Sequence, residues 1–193
     1  MIQQQAKNYF AEIKQILDSI DLKKIKQIVE MIHSAYKNNG HIFILGNGGS
    51  AATATHFACD LGKGTLRPKG GKKIKRFKVT SLADNVATMT AWGNDASYNH
   101  IFSEQLKNLL SPGDVVIGIS ASGNSPNVLN AIKLAKKQKA KTISLTGFDG
   151  GKLAKTSDVC IIASVNKYDI AEDIHLILSH IITRYFLETI NNS

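Results

Sequence analysis

Cysteine is scarce in this 193-residue chain: there are two, Cys59 and Cys160, with no CxxC spacing. That excludes a disulfide-framed scaffold and makes a reducing, cytoplasmic compartment the expectation. Cys59, beside Asp60, reads as a small buried apolar residue rather than a reactive thiol. No apolar run is long enough to span a membrane. Met1-Ile2-Gln3-Gln4-Gln5 opens a polar amphipathic stretch without the apolar core of a signal peptide. Acidic residues are outnumbered, 15 against 24 Lys and Arg, for a net charge of +9. Such an excess permits a nucleic-acid partner without requiring one. Much of it sits in one glycine-interleaved segment holding Lys63, Arg67, Lys69, Lys72, Lys73, Lys75 and Arg76. The segment reads as a solvated loop, with one or two of its end residues facing an anionic ligand. Neither nucleic acid nor a membrane is expected as a partner. Repeats, linkers and low-complexity stretches are missing too, so residues 1–193 read as one domain.

What is present is a pair of loops rich in glycine, serine and asparagine. Gly46-Asn47-Gly48-Gly49-Ser50 follows the apolar run His41-Ile42-Phe43-Ile44-Leu45, and Ser120-Ala121-Ser122-Gly123-Asn124-Ser125 follows Val115-Val116-Ile117-Gly118-Ile119. Each closes a strand-like segment and opens a helical one. Backbone N–H groups and hydroxyls at a helix N-terminus suit an anion. Neither loop carries the lysine of a P-loop, which points to a phosphorylated sugar or a similar small anion.

Strand and helix patterns alternate after residue 40. The spacing predicts strands at 41–45, 77–82, 115–119, 141–146 and 158–163, and helices at 50–61, 84–92, 97–110, 125–138 and 169–190. Residues 147–151 read as a loop. Strands rich in Val and Ile with little alternation are buried on both faces, so the expected fold is a five-stranded, doubly wound parallel sheet in three αβα layers. Two helices precede it, one near 2–18 and one after Asp21, a plausible N-cap. Their one-sided apolar faces suggest that residues 1–38 pack partly against a second subunit. The last helix carries a stripe fit for the same bundle, with Ile174, Ile177, Leu178, Ile181, Ile182, Tyr185 and Phe186.

Chemistry-bearing side chains fall on two helices. His56 and Asp60 are spaced i, i+4 and share a face of the helix that leaves the first loop. Glu172 and His180 lie on the last helix, about 80° apart around its axis and two turns along it. An imidazole and a carboxylate from each helix could form a tetrahedral zinc site or an acid/base set for proton transfer. A His–Asp pair at this spacing is more often a surface or capping pair than a ligand set.

Gly46-Asn47-Gly48-Gly49-Ser50-Ala51-Ala52 followed by His56-Phe57-Ala58 resembles the first motif of the SIS (sugar isomerase) domain family. More narrowly, it resembles the sedoheptulose-7-phosphate isomerase, or phosphoheptose isomerase, group. Trp92-Gly93-Asn94-Asp95, Gly118 to Ser125, Leu145-Thr146-Gly147, Asp149-Gly150-Gly151 and the last helix with His175 and His180 match in order and spacing. The resemblance implies that Ser120, Ser122 and Ser125 bind the substrate phosphate, with Ala121 between them also a substrate-binding position. Asn47, Gly48, Gly49, Ser50, Asn94, Asp95, Asp169 and Glu172 are then the other substrate-binding positions. It also implies a zinc ion held by His56, Asp60, Glu172 and His180, catalysis by Asp60, Glu172 and His180, and a homotetramer with active sites at subunit interfaces.

The match departs at four places. Asp60 stands where the group has Glu, and Glu172 where it has Gln. Asp60 is one methylene short, ~1.5 Å of reach, so the two carboxylates read as having exchanged roles. The group's Arg shortly after the first helix is replaced near Gly62-Lys63-Gly64, and Ile170-Ala171 replace Arg-Ile. A neighbouring subgroup with a different sugar phosphate is the alternative these raise. The expected activity is aldose–ketose isomerisation of sedoheptulose 7-phosphate to D-glycero-D-manno-heptose 7-phosphate or of a close relative. The competing reading is a non-catalytic sugar-phosphate-binding regulator or adaptor on the same fold.

Overall fold

A computed structural model of the chain describes residues 1–66 and 75–190. Arg67, Lys69, Lys72 and Lys73 of the basic segment lie outside these residues. The described residues form one five-stranded, all-parallel sheet in the order β2-β1-β3-β4-β5. The strands are β1 (His41–Gly46), β2 (Lys78–Ser81), β3 (Val115–Ser120), β4 (Lys141–Gly147) and β5 (Val159–Ala163). Successive residues of β1 feed opposite layers, as a pleated strand requires. Ile42 and Ile44 join Ile117, Ile119, Ile143 and Leu145 in one core. Phe43, Leu45 and Val116 join the other.

The first core is covered by α2 (Leu22–Lys37), α3 (Gly49–Cys59) and α8 (Tyr168–Ile190). The second is covered by α5 (Ser103–Leu109), α6 (Pro126–Lys137) and α7 (Gly151–Thr156). Asp21 caps α2, accepting the Lys23 N–H at 2.9 Å, and Ile28, Ile32 and Ala35 of that helix are buried in the sheet's own core. The second leading helix therefore belongs to the α/β body. α1 (Ile2–Ser19) differs: it has no buried residue. It rests on α8 through Ile13, Ile16 and Leu17, a hydrogen bond from the Tyr9 hydroxyl to Asp173 at 2.8 Å, and an ion pair between Lys167 and Glu12 at 2.7 Å.

Several boundaries differ from the sequence reading. The helix after the first loop stops at Cys59 and continues as a π-helical turn, Asp60–Gly64. The segment 84–110 divides into α4 (Val86–Asp95), a 3-10 turn at Tyr98–His100 and α5. The short helix α7 follows Gly150 where only a loop was expected. Cys59 is exposed rather than buried; Cys160 is buried. At the ends of the basic segment, Lys63 and Arg76 are exposed. Lys75 turns to the end of α2, donating to the Lys37 carbonyl at 2.8 Å and lying over the Tyr36 ring.

Candidate active site

Both glycine-serine loops leave paired, adjacent strands. From β1 the chain goes to β2 on one side, then returns to the other side of β1 for β3. The crevice outside the carboxyl ends of β1 and β3 is thus the point where the winding reverses, the usual ligand position in open parallel sheets. A pocket of about 170 Å³ lies there. Its walls are Asn47 and Ser50 from the first loop, Ser120, Ala121, Ser122 and Ser125 from the second, and Tyr168 and Glu172 from α8.

Hydroxyls crowd one side. The Ser120 and Ser125 Oγ atoms are 3.0 Å apart, and Ser122 Oγ accepts the Asn124 N–H at 3.2 Å. α6 starts directly behind them, with Pro126 at the first helical position, where no N–H is needed. The positive end of its dipole adds to the hydroxyls in favour of an anion. Gly123 holds the loop's shape: its φ is +64°, and a Cβ there would lie 2.1 Å from the Gly150 carbonyl oxygen. Asp149-Gly150-Gly151 is therefore the surface against which the serine loop is fitted. Lys152 N–H donates to Asn124 Oδ1 at 3.1 Å and Leu153 N–H to the Gly123 carbonyl at 3.0 Å.

Asn127, which the sequence reading passed over, joins the two loops. Asn47 Nδ2 donates to Asn127 Oδ1 at 2.9 Å, and Asn127 Nδ2 donates back to Asn47 Oδ1 at 2.8 Å. The Tyr98 hydroxyl donates to the same Asn47 oxygen at 3.1 Å. Asn127 is buried. The available signal was an amide in the first turn of α6, set beside the apolar Val128, Leu129 and Ile132.

Glu172 lies against the start of α3. A Cβ on Gly49 would sit 2.2 Å from Glu172 Oε2, so only glycine lets the carboxylate lie there. No hydrogen bond or ion pair to Glu172 exists among the described residues, which leaves both of its oxygens to a ligand.

Further along the same two helices, His56, Asp60 and His180 converge. His56 Nε2 is 2.9 Å from His180 Nε2, and Asp60 Oδ2 is 3.2 Å from the first and 3.8 Å from the second. A tetrahedral zinc ion with bonds of about 2.0–2.1 Å sets its ligand atoms about 3.3 Å apart. The three separations straddle that value, so the donor set fits a divalent ion with a position left open. Asp60 begins the π-helical turn, which is closed by Thr65 N–H to the Asp60 carbonyl at 3.1 Å. Such turns re-aim side chains at functional sites.

Of the four metal-binding residues expected from the sequence, His56, Asp60 and His180 have their donor atoms together here, and Glu172 stands apart from them. Glu172 is eight positions before His180, about 12 Å along the helix, and its carboxylate turns toward Gly49 and the pocket instead. Asn94 and Asp95 are exposed at the end of α4, hydrogen-bonded to each other at 2.8 Å, and Asp169 is exposed on the first turn of α8. None of these three lines the pocket within one chain. Gly48 and Gly49 shape the first loop rather than wall the pocket. His175 is fully buried behind the site, with neither ring nitrogen hydrogen-bonded. Burial pulls its pKa down to about 4, with the Thr146 backbone acting in the opposite direction.

Comparison with known proteins identifies the family and the fold. Residues 8–147 match the SIS domain. A phosphoheptose isomerase of Helicobacter pylori (strain P12) is 38% identical over 183 residues, covering 94% of this chain and 92% of that protein. One from Sulfurimonas denitrificans is 36% identical over 185 residues, covering 94% and 91%. Among solved structures, phosphoheptose isomerase from Neisseria gonorrhoeae superposes with a TM-score of 0.88 at 32% identity, covering 98% of this chain and all 100% of that one.

Proposed function

The chain belongs to the SIS domain family, and from that footing we propose that it is a phosphosugar isomerase converting sedoheptulose 7-phosphate to the corresponding aldoheptose phosphate. The observation that carries this reading is Glu172: an unpaired carboxylate in a pocket whose other side is a hydroxyl-lined helix N-terminus. The phosphate rests on Ser120, Ser122 and Ser125. The sugar lies against the α8 wall of the pocket, beside Tyr168 and Glu172.

In the reaction a base takes a proton from C1, the carbon beside the C2 carbonyl, and the electron pair forms a 1,2-enediolate. The proton returns at C2 while the hydroxyl proton passes from O1 to O2, so the carbonyl ends at C1 and atoms balance. Glu172 is the base in this reading, because Asp60 already faces two imidazoles. A divalent ion, zinc by its donor set of two imidazoles and a carboxylate, would be held by His56, Asp60 and His180 and would place positive charge beside the enediolate. The protein works in the cytoplasm as a homotetramer whose exposed apolar helix faces meet across subunits, bringing Asn94, Asp95 and Asp169 toward neighbouring sites.

The test is incubation with ketose phosphates of five, six and seven carbons, with the aldose followed by NMR. The seven-carbon substrate is turned over best, and Glu172→Gln lowers kcat on the order of 10²-fold or more with little change in KM. Restoration by Asp60→Glu in that background supports the exchange of carboxylates. No turnover of any ketose phosphate would leave the non-catalytic sugar-phosphate-binding reading in its place.

A further inference from the structure

Phe148 is a bulky aromatic residue with φ of +51°. L side chains other than Asn and Asp rarely adopt that region, and an aromatic there is strained. The residue follows β4 directly, pinned by its N–H to the Val165 carbonyl at 3.1 Å. Its ring meets Tyr168 edge to face, centroids 5.0 Å apart at 62°. Tyr168 opens α8, is 60% exposed, and forms part of the pocket wall. Neither aromatic has a part in holding the phosphate or moving a proton.

We propose that Tyr168, seated by Phe148, is the specificity-determining residue that recognises the sugar portion of the ligand rather than its phosphate. The serines and the α6 terminus would accept any phosphate of suitable size. A phenol ring offers what they lack: an apolar face for the C–H groups of a polyol chain and a hydroxyl for one of its oxygens. Strain persists at a site only where the surroundings over-determine it. Here the strained backbone places the Phe148 ring against Tyr168 beside the pocket. This inference rests on the sugar-phosphate reading of the pocket, but it concerns binding and does not depend on turnover.

Titration calorimetry with inorganic phosphate and with sedoheptulose 7-phosphate separates the two parts of the ligand. In Tyr168→Ala the sugar phosphate should bind about tenfold more weakly, while the Kd for inorganic phosphate stays within about twofold. Phe148→Gly should keep or raise the melting temperature, since glycine adopts positive φ without strain, and should still weaken the sugar phosphate in the same direction. A residue with a merely structural part would lower the melting temperature and weaken both ligands alike, and that result overturns the proposal. If Phe148→Gly does not fold, the Tyr168→Ala pair of Kd values decides alone. Wild-type protein that binds the sugar phosphate no better than inorganic phosphate also overturns it. Wild-type protein with the preference but without isomerase activity, losing that preference in Tyr168→Ala, supports the proposal and rejects the catalytic reading.

Discussion

His56, Asp60 and His180 meet because two helical spacings coincide at one depth. The i, i+4 pair on α3 was legible in the chain, since helical geometry alone brings such residues onto one face. Its meeting with His180 depended on how α3 and α8 pack, which no single-helix spacing encodes. The same packing sets Glu172 apart from these three, in the pocket wall. Its partner in space is the missing side chain of Gly49, and an absent Cβ is a weak signal in a run already rich in glycine. Asn127 and Tyr168 escaped notice because their work is done across the crevice, on residues far away in sequence. At this scale the prediction concerns the ion. Protein purified without chelator should carry about one zinc per chain, held by three ligands. His56→Ala and His180→Ala should each bring the content close to zero, whereas Glu172→Gln should leave it in place. Zinc content unchanged in His56→Ala would show that the ion, if any, lies elsewhere.

Among the elements, the strands were the most legible, because runs of Val and Ile buried on both faces leave few other interpretations. Short elements with glycine at their starts were the least. α7 has six residues after a glycine pair, and the π-helical turn interrupts a pattern that otherwise reads as continuous helix. α1 was legible as a helix but not as to what it covers. Within one chain it buries none of its residues, and Ile2 and Phe10 remain 73% and 68% exposed. On α8, Ile181 and Tyr185 are 45% and 44% exposed. A monomer rarely leaves such faces open. Sedimentation should therefore find a tetramer, and removal of residues 1–19 should yield smaller or aggregating species. A well-behaved full-length monomer would refute the assembly. The Tyr9–Asp173 contact tests the seating of α1 more finely. Burial and the Asp173 carboxylate push the Tyr9 hydroxyl up to a pKa of about 12, so it stays protonated and donating. Denaturant unfolding of Tyr9→Phe should show a loss of about 0.5–1.5 kcal/mol, the range for a net hydrogen bond at a partly solvated contact.

For the molecule as a whole, charge composition said little about stability, because the groups that matter are buried. Burial lowers the pKa of His175 from 6.5 to about 4 in the folded chain. Between those values the unfolded chain binds the proton and the folded one does not, so stability falls as pH drops from 6.5 toward 4. Integrated over the window, the loss is about 3 kcal/mol. His33 and His41 are lowered as well, chiefly by burial, and act in the same direction. Denaturant unfolding at pH 7, 5.5 and 4 should show this decline, and His175→Leu should flatten it. A variant with the wild-type slope would assign the acid sensitivity to other groups.

The order in which a ribosome delivers these parts has its own consequence. Tyr9 is synthesised 164 residues before Asp173, and at about 5–20 residues per second its wait is roughly 10–30 s. Throughout that interval α1 is an amphipathic segment with nothing to lie on, and neither Glu172 nor His180 yet exists. The nascent chain therefore presents an unpartnered amphipathic helix until α8 is made. A chaperone that binds apolar helices would find α1 available throughout that interval, and any product cut short before α8 would lack both Glu172 and His180.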